Sequence, residues 1–299
     1  MILRVTLFIL ILVVLISVSI MHHYVVLPNR AMFNFSHYKK QLKHDDIPVI
    51  STSRVVISFS TIPARIKYID TVIGRLLQQS FLPDTIYICI PYFSKRKHVA
   101  YEIPEWLLNK YDSDSIVRIV RCEDYGPATK LMGCIPFEVN PETIIITIDD
   151  DQIYAKDTIK TLIRYSNEYP DRCISGSGFY SVSSRYPLCY VLPGYNPTSP
   201  IVNYIEGFST VLYRRGFISK EMLDYFNSNA LSKSCFMSDD LTISTWLRKQ
   251  GIQFFIACDI ERSTDTDIDI VTPLHQEDRD DVYKTCGLEL ENTLNMDIL

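Results

Sequence analysis

The sequence predicts an α/β protein, because apolar stretches of strand length alternate with a stretch of helical periodicity. Two stretches, Val55–Ser60 and Thr85–Ile90, are rich in β-branched residues, and the segment between them repeats apolar residues at helical spacing. A third, Ile144–Ile148, is typical of a strand buried on both faces, and it stops at three consecutive aspartates. Together these features predict an α/β sheet that begins with a strand-helix-strand unit with a right-handed crossover.

The N-terminal segment predicts a membrane anchor in front of this domain. Residues 5–21 are almost wholly apolar, and the apolar run can extend to Leu27, which is long enough for a helix that crosses a bilayer. A signal peptide is the alternative, but no small-x-small cleavage site follows. We therefore expect a single-pass anchor over residues 1–27 and a polar stem over residues 28–53.

The side of the membrane on which the domain lies stays open. Basic residues are more numerous after the apolar run than before it, which by the positive-inside rule leaves the domain in the cytosol. Asn34 begins a glycosylation acceptor sequence, which matters only if the domain is lumenal. The expected location is an endomembrane of the Golgi type or a virus-associated membrane.

The globular domain is expected from Arg54 to residue 285, with a first half over residues 54–151 and a second over residues 152–285. After the strand Val55–Ser60, a helix is expected over Tyr68–Gln79, followed by the strand Thr85–Ile90. The remaining predicted elements are a strand at Ile116–Val120, a helix that Asp157 caps and that runs to about Tyr169, a helix within Ser238–Gly251 and a strand at Ile252–Cys258. Residues 286–299 form a tail in which we find no pattern.

Composition excludes several kinds of site. The formal net charge of −5 does not suggest a nucleic-acid-binding surface. Ten glycines are few for 299 residues, and no Gly-rich phosphate loop is present. The eight cysteines include no CxxC pair, so a zinc site is not indicated; Cys89 and Cys258 are expected to be buried thiols, and disulfides are permitted but not implied.

The acidic triplet Asp149–Asp151 is the strongest functional signal. In an extended chain Asp149 and Asp151 point to the same side, and crowded carboxylates need a positive partner. Oxygen ligands suit Mg²⁺ or Mn²⁺, which complete their shells with water and substrate phosphates. The alternative is an Asp-rich turn that only ends a strand and caps a helix.

Four segments, in their order and spacing, resemble the nucleotide-sugar-binding half of GT-A glycosyltransferases. They read VVISFSTIPARI, QQSFLPDTIYICIP, DYGPATKL and IIITIDDDQIY. The chain is most similar to the glycosyltransferase family 2-like group, which includes uncharacterised members of large DNA viruses and bacteria, and the resemblance covers Arg54 to His275. It implies a GT-A, Rossmann-like fold with a mixed, mostly parallel sheet that is flanked by helices. It also implies transfer of a sugar from a nucleotide-sugar donor, expected to be UDP-linked, to a hydroxyl on a glycan, lipid or protein.

The same resemblance implies roles for residues on the donor side. Asp149 and Asp151 match the DxD motif that holds the metal on the diphosphate, and Asp150 can substitute because the register is uncertain by one residue. The residues expected to bind the nucleotide sugar are Thr61, Pro63, Arg65, Lys130, Asp149 and Asp150. A surface arginine on the first turn of a helix and a solvated helix lysine are the alternative readings of Arg65 and Lys130.

On the acceptor side the resemblance places Glu206 and Gly207 near the sugar. It also assigns the general base to the acidic pair Asp239–Asp240, where the family usually has Glu-Asp, and we favour Asp240. Helix capping is the alternative role of this pair. His275 is a further candidate metal ligand, whereas the acidic stretch Asp265–Asp269 is expected to be a solvated loop.

Two other functions are compatible with paired carboxylates. A metal-dependent nucleotidyltransferase would release pyrophosphate from a nucleoside triphosphate. A non-catalytic module on the same fold would bind a nucleotide or a glycan without turnover.

Overall fold

A computed structural model describes residues 49–111, 116–181, 187–191, 202–228, 230–257, 259–261, 264–265 and 279–294. The expected anchor, most of the expected stem, Cys258 and His275 lie outside these residues. Among the residues that are described, no helix is both long enough and apolar enough to span a bilayer.

The described elements follow the predicted alternation of strands and helices. The strands are β1 (Val55–Ser60), β2 (Thr85–Pro91), β3 (Phe93–Ser94), β4 (Val99–Ala100), β5 (Val117–Cys122), β6 (Ile144–Thr147), β7 (Gln152–Ile153), β8 (Arg172–Ser175), β9 (Gly178–Ser181), β10 (Pro187–Val191), β11 (Tyr204–Ile205), β12 (Val211–Arg214), β13 (Gln253–Ile256) and β14 (Thr264–Asp265). The α-helices are α1 (Asp70–Leu76), α2 (Glu105–Lys110), α3 (Thr129–Met132), α4 (Thr158–Glu168), α5 (Lys220–Asn227), α6 (Lys233–Phe236), α7 (Asp239–Lys249) and α8 (Arg279–Leu294).

Seven strands form the main sheet, in the order β13-β8-β12-β6-β1-β2-β5. Strand β12 runs antiparallel to both of its neighbours, and the other four pairs are parallel. Helices flank the sheet, and its two faces pack into two apolar clusters, because successive side chains of a strand point to opposite faces. Thus Val56 and Ile145 enter one cluster while Ile57 and Ile146 enter the other. The predicted mixed, mostly parallel Rossmann-like sheet is confirmed.

The strand order reverses between β1 and β6. From β1 the chain adds β2 and then β5 on one side, whereas the strands from β6 onward lie on the other side. In doubly wound sheets such a switch point opens a crevice beyond the carboxyl ends of the two strands, where ligands bind. Thr61 follows β1 directly, and Asp149 follows β6 after one intervening residue.

Some helices differ from the expected ones. The stretch expected as one helix over Tyr68–Gln79 forms a 3-10 turn, Ile66–Tyr68, followed by the shorter helix α1. Asp157 stands at the start of α4, as expected, but its side chain makes no capping hydrogen bond.

The largest difference lies at the C-terminal end, where no helix is expected from the sequence and the structure has the 16-residue helix α8. Its buried residues Cys286, Leu290 and Leu294 recur at a spacing of four and pack into one of the two core clusters. A disulfide between Cys235 and Cys286 joins α8 to α6.

Candidate functional site

The candidate site lies at the switch point, and the acidic triplet reaches it through a turn. Strand β6 ends at Thr147, and Asp150 and Asp151 lie in the turn before β7. The chain is therefore not extended through the triplet, although an extended chain is the basis for expecting Asp149 and Asp151 on the same side. Asp149 contacts Lys130, whereas Asp150 and Asp151 converge on Arg65.

Asp150 is held entirely within the protein. Its Oδ2 accepts a hydrogen bond of 2.6 Å from Thr61 Oγ1, and its Oδ1 accepts one of 2.8 Å from an Arg65 guanidinium nitrogen. Burial raises the pKa of Asp150, while Arg65 and Thr61 favour its charged form. Since both of its oxygens have protein partners, Asp150 connects the segment after β1 to the segment after β6 and is poorly suited to bind a metal.

Asp151 is more exposed, and its Oδ2 accepts a hydrogen bond of 2.8 Å from the same Arg65 nitrogen. Burial and the negative charges of Asp149 and Asp150 raise the pKa of Asp151 to about 6, although Arg65 opposes them. The triplet is thus a concentration of negative charge that Arg65 compensates only in part. This arrangement favours the approach of a further cation.

Lys130 connects the triplet to the second acidic group. It lies on α3, its Nζ donates a hydrogen bond of 2.7 Å to Asp149 Oδ1, and it forms an ion pair of 3.5 Å with Asp239 Oδ2. Burial opposes the charge of this lysine, but the attraction of Asp149, Asp239 and Asp240 outweighs it and raises the pKa of Lys130 well above its ordinary value. The alternative reading of Lys130 as a solvated helix lysine is wrong, because the residue is only 7% exposed.

The acidic pair stands on the first turn of α7, beside the turn that contains Gly207. Asp240 Oδ1 accepts a hydrogen bond of 2.9 Å from the backbone N–H of Gly207. A Cβ atom on Gly207 would lie 2.4 Å from Lys130 Nζ and 3.1 Å from Asp240 Oδ1. Because glycine has no Cβ atom, the side chains of Lys130 and Asp240 can approach the backbone at this position.

The two members of the pair have different environments. Asp239 is buried, whereas Asp240 is partly exposed. Burial and the negative charge of Asp239 raise the pKa of Asp240 well above its ordinary value, and Glu206 adds to this effect while Lys130 and the Gly207 N–H oppose it. A carboxylate with a raised pKa is a better proton acceptor near neutral pH, and Asp240 has this property.

Sequence reasoning missed Tyr154, which links the acidic triplet to the turn that contains Gly207 and Phe208. Its hydroxyl accepts a hydrogen bond of 2.9 Å from the backbone N–H of Asp149 and donates one of 3.2 Å to the carbonyl of Phe208. Tyr154 is buried, and burial raises the pKa of its hydroxyl well above the ordinary value, so that it stays a neutral donor. The only signal in the sequence is its position, five residues after Asp149.

Most residues proposed for the site come together, with two exceptions. Pro63 lies in the turn that leads from β1 to Arg65 and shapes the backbone there. His275 lies outside the described residues.

Strand β14 includes Asp265 and pairs with β7, directly after the triplet, so this part of the acidic stretch is in a strand. The rest of that stretch lies outside the described residues.

A divalent metal fits the acidic triplet only together with a ligand. Across the described ranges no group of three or more His, Cys, Asp or Glu side chains could hold a metal ion. Asp149 and Asp151 are close enough that the negative charge of Asp149 helps burial to raise the pKa of Asp151. Mg²⁺ is commonly held by one or two carboxylates plus substrate phosphates, and these two residues suit that arrangement.

Comparisons with known proteins add little. No protein-family model matches the chain, and no curated protein does. Among solved structures it is similar to the crystal structure of S. aureus TarS 1-349, with 13% sequence identity and a TM-score of 0.46. The match covers 71% of this chain and spans 60% of that one. Function is therefore argued from the side chains of this chain.

Proposed function

We propose that the chain is a glycosyltransferase that moves a sugar from a nucleotide-sugar donor to an acceptor hydroxyl. One observation carries the proposal: Lys130 joins Asp149 to the acidic pair Asp239–Asp240 at the switch point of the sheet. The donor-side carboxylate of Asp149 and the acceptor-side carboxylate of Asp239 are 90 residues apart in the chain, and both pair with the ammonium group of Lys130. A transferase needs this proximity, because its two substrates must meet at one bond.

On the donor side, Asp149 and Asp151 would hold Mg²⁺ or Mn²⁺ together with the diphosphate. The cation, when bound, stabilises the negative charge of the leaving nucleoside diphosphate as a Lewis acid. Thr61 and Arg65 hold the turn of the triplet in place through Asp150 and Asp151. The diphosphate of the donor would lie near Arg65, because a guanidinium group matches the charge and geometry of phosphate.

On the acceptor side, Asp240 is the proposed general base. The proton of the acceptor hydroxyl passes to a carboxylate oxygen of Asp240 as the hydroxyl oxygen bonds to the anomeric carbon. The bond between that carbon and the diphosphate oxygen breaks, and the nucleoside diphosphate leaves. The raised pKa of Asp240 supports this role, and its bond from Gly207 N–H fixes the orientation of the carboxylate.

The experiment combines binding with product analysis. A panel of UDP-, GDP-, CDP- and ADP-linked sugars is tested by thermal shift with and without Mn²⁺, because a ligand that binds the native state raises the melting temperature. Donors that bind are then assayed for release of nucleoside diphosphate. We expect Asp149→Asn to reduce release by about 100-fold or more, since it removes a group that holds the leaving diphosphate.

Asp224→Asn is the matched control, because Asp224 is an exposed aspartate that pairs only with Lys220 on the same helix among the described residues. Unchanged release in Asp149→Asn would contradict the proposal. Release of pyrophosphate from a nucleoside triphosphate would identify a nucleotidyltransferase instead. Binding of a donor with no turnover for any acceptor would identify a non-catalytic module.

A further inference from the structure

A basic hairpin stands at the carboxyl end of strand β2. It consists of residues 92–100, in which β3 pairs with β4 and Lys95–His98 form the tip. The backbone fixes this tip, because Lys95 N–H donates to Asp124 Oδ2 at 2.7 Å and His98 N–H donates to the Ser94 carbonyl at 2.8 Å. His98 has a left-handed φ of 53°, which the tight turn requires.

The hairpin concentrates positive charge on an acidic protein. Lys95, Arg96 and Lys97 are consecutive, and no acidic residue occurs from Tyr92 to Tyr101, although the whole chain has a net charge of −5. Lys95 and Lys97 are exposed, and Arg96 is partly exposed. In the described part of the chain neither lysine forms an ion pair. Glu102 and Glu105 follow the hairpin and limit the basic surface to its tip.

Exposed apolar side chains are concentrated on the hairpin and on helix α2, which follows it in the chain. The described residues include thirteen exposed large hydrophobic side chains, and five of them lie within the seventeen residues from position 92 to 108. These five are Tyr92 at 57%, Phe93 at 47%, Val99 at 45%, Trp106 at 36% and Leu108 at 50% exposure. Three of the five lie on the hairpin and two on α2, which begins five residues after it. Exposed apolar side chains that are concentrated in this way indicate an interaction surface.

This surface lies at the same edge of the sheet as the candidate site. Strand β2 runs parallel to β1, so the hairpin and the segment that begins at Thr61 both start at carboxyl strand ends. The ammonium group of Lys95 lies 5.9 Å from the centre of the Phe236 ring, three residues before Asp239. Whatever binds the hairpin therefore lies next to the acceptor side.

We infer that the basic hairpin and helix α2 dock on the surface of a lipid bilayer that carries anionic headgroups. Aromatic and aliphatic side chains enter the interface between headgroups and acyl chains, while lysine and arginine stay with the anionic headgroups. Charge complementarity selects anionic lipid over neutral lipid. The inference goes beyond the proposed function and does not depend on sugar transfer.

The two tryptophans of the chain provide the test, because Trp106 is exposed within this surface and Trp246 is buried in the core. The full chain is mixed with vesicles of brominated phosphatidylcholine, with or without phosphatidylserine, and bromine quenches a tryptophan that enters the bilayer interface. We expect quenching in the presence of phosphatidylserine and its loss in Trp106→Phe. High salt should reduce it, because salt screens exposed charges.

The charge requirement is tested with a matched pair of variants. Lys95→Ser with Lys97→Ser should reduce the quenching about twofold or more, since each basic residue near an anionic surface adds attraction. Lys220→Ser with Lys284→Ser removes the same charge from exposed positions outside the hairpin and should leave quenching unchanged. Equal quenching in the two variants, equal quenching on neutral vesicles or quenching that persists in Trp106→Phe would each overturn the inference.

Discussion

The two acidic groups of the candidate site are alike in sequence but differ in their partners. In the triplet, Asp150 uses both carboxylate oxygens for Thr61 and Arg65 and lies deep in the fold. In the pair, Asp240 has one hydrogen bond from a backbone N–H and remains partly exposed. The same residue type therefore stabilises the structure at one position and is suited to accept a proton at the other.

This difference shows that partners, more than residue type, decide what a carboxylate can do. Arg65 lies 2.8 Å from Asp150, and both side chains are largely buried. Lys130 compensates Asp149 at 2.7 Å, but it is 3.5 Å from Asp239. The pair is thus left with excess negative charge, and burial together with this charge raises the pKa of Asp240.

The largest expected effect comes from Asp240→Asn. It removes the proposed base without changing the size of the side chain, and turnover should fall by about 10²- to 10⁴-fold, the usual contribution of general base catalysis. Donor binding should persist in a thermal-shift assay, because Asp240 is on the acceptor side. A fall in Asp239→Asn larger than that in Asp240→Asn would move the base to Asp239.

Arg65→Met tests the structural role of Asp150. It leaves a buried carboxylate without its guanidinium partner and should lower the free energy of unfolding by about 3–5 kcal/mol in urea titrations. Lys110→Met is the control, because the pair between Lys110 and Asp70 is about half exposed and should contribute about 1 kcal/mol or less. Similar losses in the two variants would mean that Asp150 is not a buried anchor.

Gly207→Ala tests the close approach of Lys130 and Asp240 at Gly207. The added Cβ would lie 2.4 Å from Lys130 Nζ, the flexible end of its side chain, so we expect Lys130 to move rather than the fold to fail. Turnover should fall by about 10- to 100-fold, since small displacements of positioning groups are costly.

The matched glycine control is Gly74→Ala. A Cβ there meets no atom within 4 Å, and the residue lies inside α1, so the substitution should stabilise the protein by about 0.5–1 kcal/mol. Thermal unfolding and nucleoside diphosphate release are measured on both variants. Full activity in Gly207→Ala would show that the position of Lys130 does not matter for turnover.

The smallest expected effect is a shift in the pH profile. The base accepts a proton only as a carboxylate, so kcat/KM should rise with pH through the raised pKa of Asp240. Asp239→Asn removes the neighbouring negative charge, so the rise should move to lower pH, whatever the plateau rate of the variant. A shift to higher pH would contradict the proposed coupling between the two carboxylates.

Local patterns predicted the strands β1, β2, β5, β6 and β13 and the helices α4 and α7, but not strand β8 of the main sheet. The β-branched runs that begin at Val55, Thr85 and Ile144 are strands in the structure, because such residues pack efficiently in a sheet that is buried on both faces. Helix α8 was not foreseen, because its buried stripe is narrow and the partner surface comes from α6 and α7. The disulfide between Cys235 and Cys286 likewise depends on how those helices meet.

The sequence by itself determined the sheet, the position of the acidic triplet at the end of β6 and the presence of a second acidic pair at the start of α7. These features depend on residues close together in the chain, where periodicity and residue type are informative. Only the tertiary structure decided that Asp150 is an internal anchor, that Tyr154 joins two turns and that Lys130 links Asp149 to Asp239. The physical reason is that charge compensation depends on distances across the fold, and sequence spacing does not contain these distances.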